Sequence, residues 1–102
     1  MRVFVSHKFK KMFKKRYSNQ PLLEEKLSSL IILFIENTQN SKLKDHALKG
    51  KKSSFRAFSV TSDIRIIYQV VNDTAVFLDI GTHNQVYWHK LSRTQNFVLS
   101  LY

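Results

Sequence analysis

Three short apolar runs in the second half of the chain, Phe55 to Val60, Ile64 to Val71 and Ala75 to Ile80, are joined by connections that leave room only for hairpins. Asn72-Asp73 has the composition of a two-residue hairpin turn, and Thr61-Ser62-Asp63 joins the first two runs. A parallel pair of strands needs a crossover of about a dozen residues or more, so these runs predict an antiparallel meander. A meander has to bury one of its faces, and the first half of the chain supplies the cover.

Arg2 to Ser6 alternates polar and apolar residues and reads as a first strand. Ser6 can cap the helix that follows, in which Phe9, Phe13 and Tyr17 recur every four residues beside Met12. That stripe reads as core, and the lysines fill the opposite side. Ser18-Asn19-Gln20 breaks the pattern, and Pro21 suits the first turn of a second helix whose dipole Glu24 and Glu25 complement. Leu23, Leu27, Leu30, Ile31, Phe34 and Ile35 keep helical spacing to about Asn37. Residues 38–54 are polar and basic and predict a loop, while 88–102 predict a tail or short amphipathic helix through Phe97, Val98 and Leu101. The expected fold is α+β: a small antiparallel-rich sheet in the order β-α-α-β-β-β, with an N-terminal helical hairpin packed on one face. All 102 residues are expected to form one domain.

Composition narrows the function classes. Without cysteine there is no disulfide or thiolate metal site, and the chain fits a reducing cytosol. No apolar run approaches the ~20 residues of a membrane helix, and the N-terminus lacks the apolar stretch of a secretory signal, so a cytoplasmic protein is expected. Seventeen Lys and Arg oppose seven Asp and Glu, for a net charge of +10. Arg2, Lys8, Lys10, Lys11, Lys14, Lys15 and Arg16 all precede the first acid, Glu24. Lys42, Lys44, Lys49, Lys51, Lys52 and Arg56 crowd the second patch, opposed only by Asp45. Two such concentrations point to a polyanionic partner, nucleic acid first and an acidic protein second.

His46 lies in the second basic patch and His83 follows the last predicted strand. In a meander, the start of the middle strand lies beside the end of each neighbour. Asp63, Arg65 and His83 should therefore share one edge, and the loop carrying His46 could fold over it. RNA cleavage without metal needs a base for the 2′-hydroxyl proton, an acid for the leaving 5′-oxygen and cations for the developing phosphorane charge. Two histidines or a His–Asp pair can serve the first two needs; Arg65 with Lys49, Lys51 or Lys52 can serve the third. Tyr87 could stack on a base or hydrogen-bond a phosphate. Lys10, Lys11 and Lys14 on the first helix, with Arg56, are the further candidates for the RNA backbone. No phosphate-cradling glycine loop, zinc spacing or nucleophile elbow is present.

The string LKDHALKGKKSSFRAFSVTSDIRIIYQVV…VFLDIGTHNQVY resembles the RelE/ParE superfamily of type II toxin–antitoxin toxins, particularly its YafQ-like branch. DHxLxG, [ST]xDxRxxY and GTHxxxY carry the likeness together. It implies a small sheet with an N-terminal helical hairpin and an mRNA interferase that cuts messenger RNA in the ribosomal A site. It implies no metal or cofactor, and attack of the 2′-hydroxyl to leave a 2′,3′-cyclic phosphate. By resemblance, His46, Asp63 and His83 are the proton-transfer residues, Tyr87 is a functional aromatic and Arg65 faces phosphate. Ser59 stands where some YafQ-like toxins carry a further histidine, and Ile64 where a tryptophan often follows the acid. The resemblance also implies an acidic antitoxin that folds over the basic surface. Two other readings stay open, a ParE-like inhibitor of DNA gyrase and a basic binding module that does not cleave RNA.

Overall fold

The computed structural model describes residues 1–48 and 54–87, the last of these by its backbone alone. The predicted C-terminal helix or tail, 88–102, lies outside the described residues, as do Lys49, Lys51 and Lys52. The described elements are β1 (Arg2–Val5), α1 (His7–Tyr17), α2 (Pro21–Glu36), β2 (His46–Ala47), β3 (Phe55–Ser59), β4 (Ile64–Val71), β5 (Thr74–Thr82) and α3 (His83–Tyr87). They build a five-stranded mixed sheet in the order β1-β5-β4-β3-β2. β1 runs parallel to β5, and every other pair is antiparallel.

Local chemistry explains most of the boundaries. The Ser6 hydroxyl accepts from the Phe9 amide at 3.1 Å and starts α1. Pro21 opens α2, where its missing N–H costs no hydrogen bond. Asn72 and Asp73 both take positive φ, 50° and 63°, which is the backbone of a type I′ hairpin turn. In the other turn, the Thr61 hydroxyl accepts from the amides of Asp63 and Ile64, at 3.2 and 3.0 Å.

The two helices cover one face of the sheet, as expected. Phe34 of α2 is fully buried there. It stacks on Phe58 at 4.8 Å between ring centroids and meets Tyr68 edge-on at 5.0 Å. Phe9, Tyr17, Leu27, Ile66 and Phe77 join the same cluster. The opposite face carries a smaller cluster of Phe55, Ala57, Ile67, Val76 and Leu78, closed by Leu48 and Val86.

Two expectations need correction. The segment 38–54 is not wholly loop, because His46 and Ala47 form β2, opposite Ala57 and Arg56 of β3. What drives that pairing is burial on either side: Leu48 sinks into the smaller cluster, and Asp45 is drawn under Arg56 and Tyr68. The last strand also runs from Thr74 through Thr82. It pairs with β4 along its length, with an irregularity between Ile67 and Tyr68 where one residue of β5 is extra.

Candidate active site

Alternation along the strands decides what the helix-free face displays. Ala57 and Ile67 belong to the smaller cluster, so Ser59 and Arg65, two residues further on, point to the same side. Ser59 stands directly opposite Arg65, and Arg65 opposite Gly81. Ile64 pairs with Thr82, which brings the neighbouring Asp63 and His83 to the end of the same ladder.

Arg65 Nη1 donates to His83 Nδ1 at 3.2 Å. That bond needs a lone pair on Nδ1, so it exists with a neutral ring whose proton is on Nε2. His83 is exposed, and so is Asp63. The sheet edge therefore gathers a cation, an imidazole and a carboxylate where solvent and a ligand can reach them.

His83 is held by the start of α3. Thr82-His83-Asn84-Gln85 reads as a helix-opening TxxQ box, and the Gln85 side chain accepts from the Thr82 amide at 2.8 Å. The same four residues were visible in the sequence, and their capping spacing is the signal that finds this turn. Gly81 makes the approach possible. A Cβ there would lie 2.6 Å from Arg16 Nη1 and 2.7 Å from Gln85 Oε1.

Arg16 is a supporting residue that sequence reasoning passed over. Its Nη1 donates to Asp79 Oδ1 at 3.1 Å and to the Ile80 carbonyl at 2.5 Å, which fastens α1 to β5 just behind Gly81. Asp79 is fully buried, and a lone acid inside the apolar run Val76 to Ile80 was the available clue. The partial burial of Tyr17 beside this pair pushes its phenol above the ordinary range, with Asp79 adding to the rise and Arg16 opposing it.

His46 shares the helix-free face through its pairing with Ala57, but it does not fold over the Arg65–His83 cluster. β3 lies between His46 and Arg65. Two strand spacings and a two-residue offset put His46 and Arg65 about 12 Å apart at Cα. Its Nδ1 donates to the Lys44 carbonyl at 2.9 Å, leaving Nε2 on the exposed side. Lys44 reaches that position with a φ of 51°.

Beneath β2 lies a closed polar unit. Arg56 Nε donates to Asp45 Oδ1 at 2.8 Å and to the Tyr68 hydroxyl at 3.2 Å, and the Tyr68 hydroxyl donates to Asp45 Oδ2. The Asp45 side chain is only 2% exposed. Burial, then the bond to Asp45, drives the Tyr68 phenol well above its ordinary range. Arg56 is thus engaged with Asp45, whereas Lys10, Lys11 and Lys14 stand exposed on α1. Tyr87 ends α3. Among the described residues no three His, Asp or Glu side chains gather in a metal-binding group.

The family model described as "Bacterial toxin of type II toxin-antitoxin system, YafQ" matches residues 1–87. This chain belongs to the YafQ toxin family. Solved structures agree with that membership. YafQ from E. coli strain BL21(DE3) superposes with a TM-score of 0.67 at 25% identity, over 85% of this chain and 99% of that one. A copper-bound mutant toxin from Helicobacter pylori gives 0.69 at 26% identity, over 85% and 99%. The toxin chain matched in the E. coli DinJ-YafQ toxin-antitoxin complex gives 0.65 at 26%, over 83% and 94%. No curated protein matches this chain. It is a type II toxin with the α+β architecture of its family, and no helix among the described residues is long and apolar enough to cross a membrane.

Proposed function

We propose that this toxin is a ribosome-dependent endoribonuclease that cuts messenger RNA in the A site by acid–base catalysis with no metal or cofactor. The observation that carries the reading is the exposed Arg65–His83 hydrogen bond, with Asp63 at the same end of the ladder. The scissile phosphate sits against Arg65. Drawing the guanidinium toward a phosphate frees His83 Nδ1 to take a proton from solvent, and the resulting imidazolium donates from Nε2 to the leaving 5′-oxygen. Asp63 accepts the proton of the attacking 2′-hydroxyl. The P–O2′ bond forms as the P–O5′ bond breaks, leaving a 2′,3′-cyclic phosphate and a 5′-hydroxyl. Arg65, with Lys49, Lys51 and Lys52, offsets the charge of the phosphorane. Tyr87 stacks on a neighbouring base, and Lys10, Lys11 and Lys14 are assigned to the RNA backbone; Arg56, expected to join them, is instead engaged with Asp45 and Tyr68.

His46 serves the same substrate at a different point. It is assigned to the RNA strand beside the scissile nucleotide, a role that its position on the same face of the sheet supports. Asp45, Arg56 and Tyr68 hold the strand that carries it.

A cognate antitoxin is its protein partner, by analogy with the DinJ-YafQ toxin-antitoxin complex, and the net charge of +10 favours an acidic one that covers the basic face. The toxin works in the cytoplasm, where its ribosomal target lies. The test compares native protein with His83→Ala on translating ribosomes. Loss of mRNA cuts by a factor of about 10² or more in His83→Ala supports the reading. Absence of cuts with either protein, together with inhibited DNA supercoiling, sinks it in favour of a gyrase inhibitor.

A further inference from the structure

A cleft of about 340 Å³ opens at the rim of the sheet, between α2, the connection before β2 and the turn from β3 to β4. Its walls carry Lys26 of α2, Lys42 and Lys44 of the connection, Ser59 and Thr61 of the turn region, and Arg65. Among the described residues no acidic side chain lines it. Neither of the ion pairs found among the described residues involves its lysines. Lysine and arginine donate and cannot accept hydrogen bonds. Thr61 has been brought to the same condition, because its oxygen already accepts from two backbone amides, Asp63 and Ile64. Its hydroxyl proton is what remains to offer. A site made of donors and positive charge fits a ligand made of acceptors and negative charge.

We propose that this cleft is a second phosphate subsite, which holds a backbone phosphate of the RNA strand next to the one cleaved. The inference rests on the proposed reading that RNA is the ligand, and not on the cleavage chemistry. Arg65 joins the two sites: it lines the cleft and also donates to His83. An RNA strand whose scissile phosphate sits at His83 would thread past Arg65 into the cleft, whose far wall carries Lys44, the residue whose carbonyl holds His46. The cleft's volume is at the lower end of the range for small-ligand pockets, enough for a phosphate with part of its ribose. Its lining is polar apart from Val60, which is buried, so it gives no exposed apolar platform for a base and recognition there is independent of sequence.

The test uses the full chain and a single-stranded RNA oligonucleotide with 2′-O-methyl groups, which cannot be cleaved. Affinity is measured against salt concentration for the native protein, for Lys26→Gln/Lys42→Gln and for Arg2→Gln. Lys26 and Lys42 are exposed, so the double variant should keep the native melting temperature. Arg2, on the far edge strand, carries the same charge outside the cleft. The proposal expects the slope of log affinity against log salt to fall by about 1.4 in the double variant, and binding near physiological salt to weaken on the order of tenfold. Arg2→Gln should leave the slope within experimental error. An unchanged slope in the double variant, or an equal change per charge removed in Arg2→Gln, would overturn the subsite. Failure of the native protein to bind the oligonucleotide also overturns it, as RNA is then not the ligand. Cleavage by the native protein with no slope change overturns the subsite alone and leaves the ribonuclease reading intact.

Discussion

At the scale of single residues, protonation and position decide what each side chain can contribute. Tyr68 shows the first. Its phenol ionises near 10 in the unfolded chain and higher when buried against Asp45. Below pH 10 the group is neutral in both states and its contribution is fully present. As pH rises above 10, the unfolded chain loses its proton first, so stability falls toward the folded-state value. Tyr68→Phe should therefore be less stable than the native protein at neutral pH, because Asp45 loses a donor, yet decline less steeply between about pH 9 and about pH 11. Denaturant midpoints across that range read the difference. Position governs His46. Separated from Arg65 by two strand spacings, it should act on binding more than on chemistry. His46→Ala is expected to raise KM about tenfold and hold kcat within about twofold, in contrast to His83→Ala. A collapse of kcat equal to that of His83→Ala would place His46 in the reacting cluster instead.

At the scale of elements, the site depends on three pieces meeting at Gly81: the end of α1, the end of β5 and the start of α3. Arg16 is held by Asp79 and the Ile80 carbonyl and has little freedom to withdraw, while Gln85 is held by the Thr82 amide. Gly81→Ala should therefore cost about 1–3 kcal/mol of stability through overpacking. It should also lower cleavage more than that loss explains, since α3 carries His83. Melting curves and cleavage rates on the same preparation separate the two effects. These contacts also show where the sequence could be read and where it could not. Ser6, Pro21 and Asn72-Asp73 act on the backbone within a few residues, and each sits where its local chemistry predicts. β2 has only two residues, both exposed, and exists because Asp45 and Leu48 on either side of it are buried by distant partners. No local pattern announces such a strand. The Arg16–Asp79 pair spans 63 positions of sequence and was equally hidden.

At the scale of the molecule, the meander determines which functional groups meet. Short connections bring the start of β4 beside the end of β5, the irregularity at Ile67/Tyr68 sets the pairing of Ile64 with Thr82, and together they put Asp63, Arg65 and His83 at one end of the sheet. That part of the candidate site was legible because it depends only on strand order and register. The placement of His46 was not, because it depends on how the connection before β3 folds back. The helices take one face for the core, which leaves the histidines, Ser59 and Arg65 on the other. A net charge of +10 favours a polyanion approaching that open face. In the proposed reaction the Asp63–Arg65–His83 cluster transfers protons around an RNA phosphate, with no metal taking part. The most direct measurement is the chemistry of the ends produced when the toxin acts on translating ribosomes, with the toxin stripped of divalent cations beforehand. Each cut should leave a 2′,3′-cyclic phosphate upstream and a 5′-hydroxyl downstream, both lost in His83→Ala. A 3′-hydroxyl with a 5′-phosphate, or cyclic ends formed at the native rate by His83→Ala, would contradict the proposed reaction.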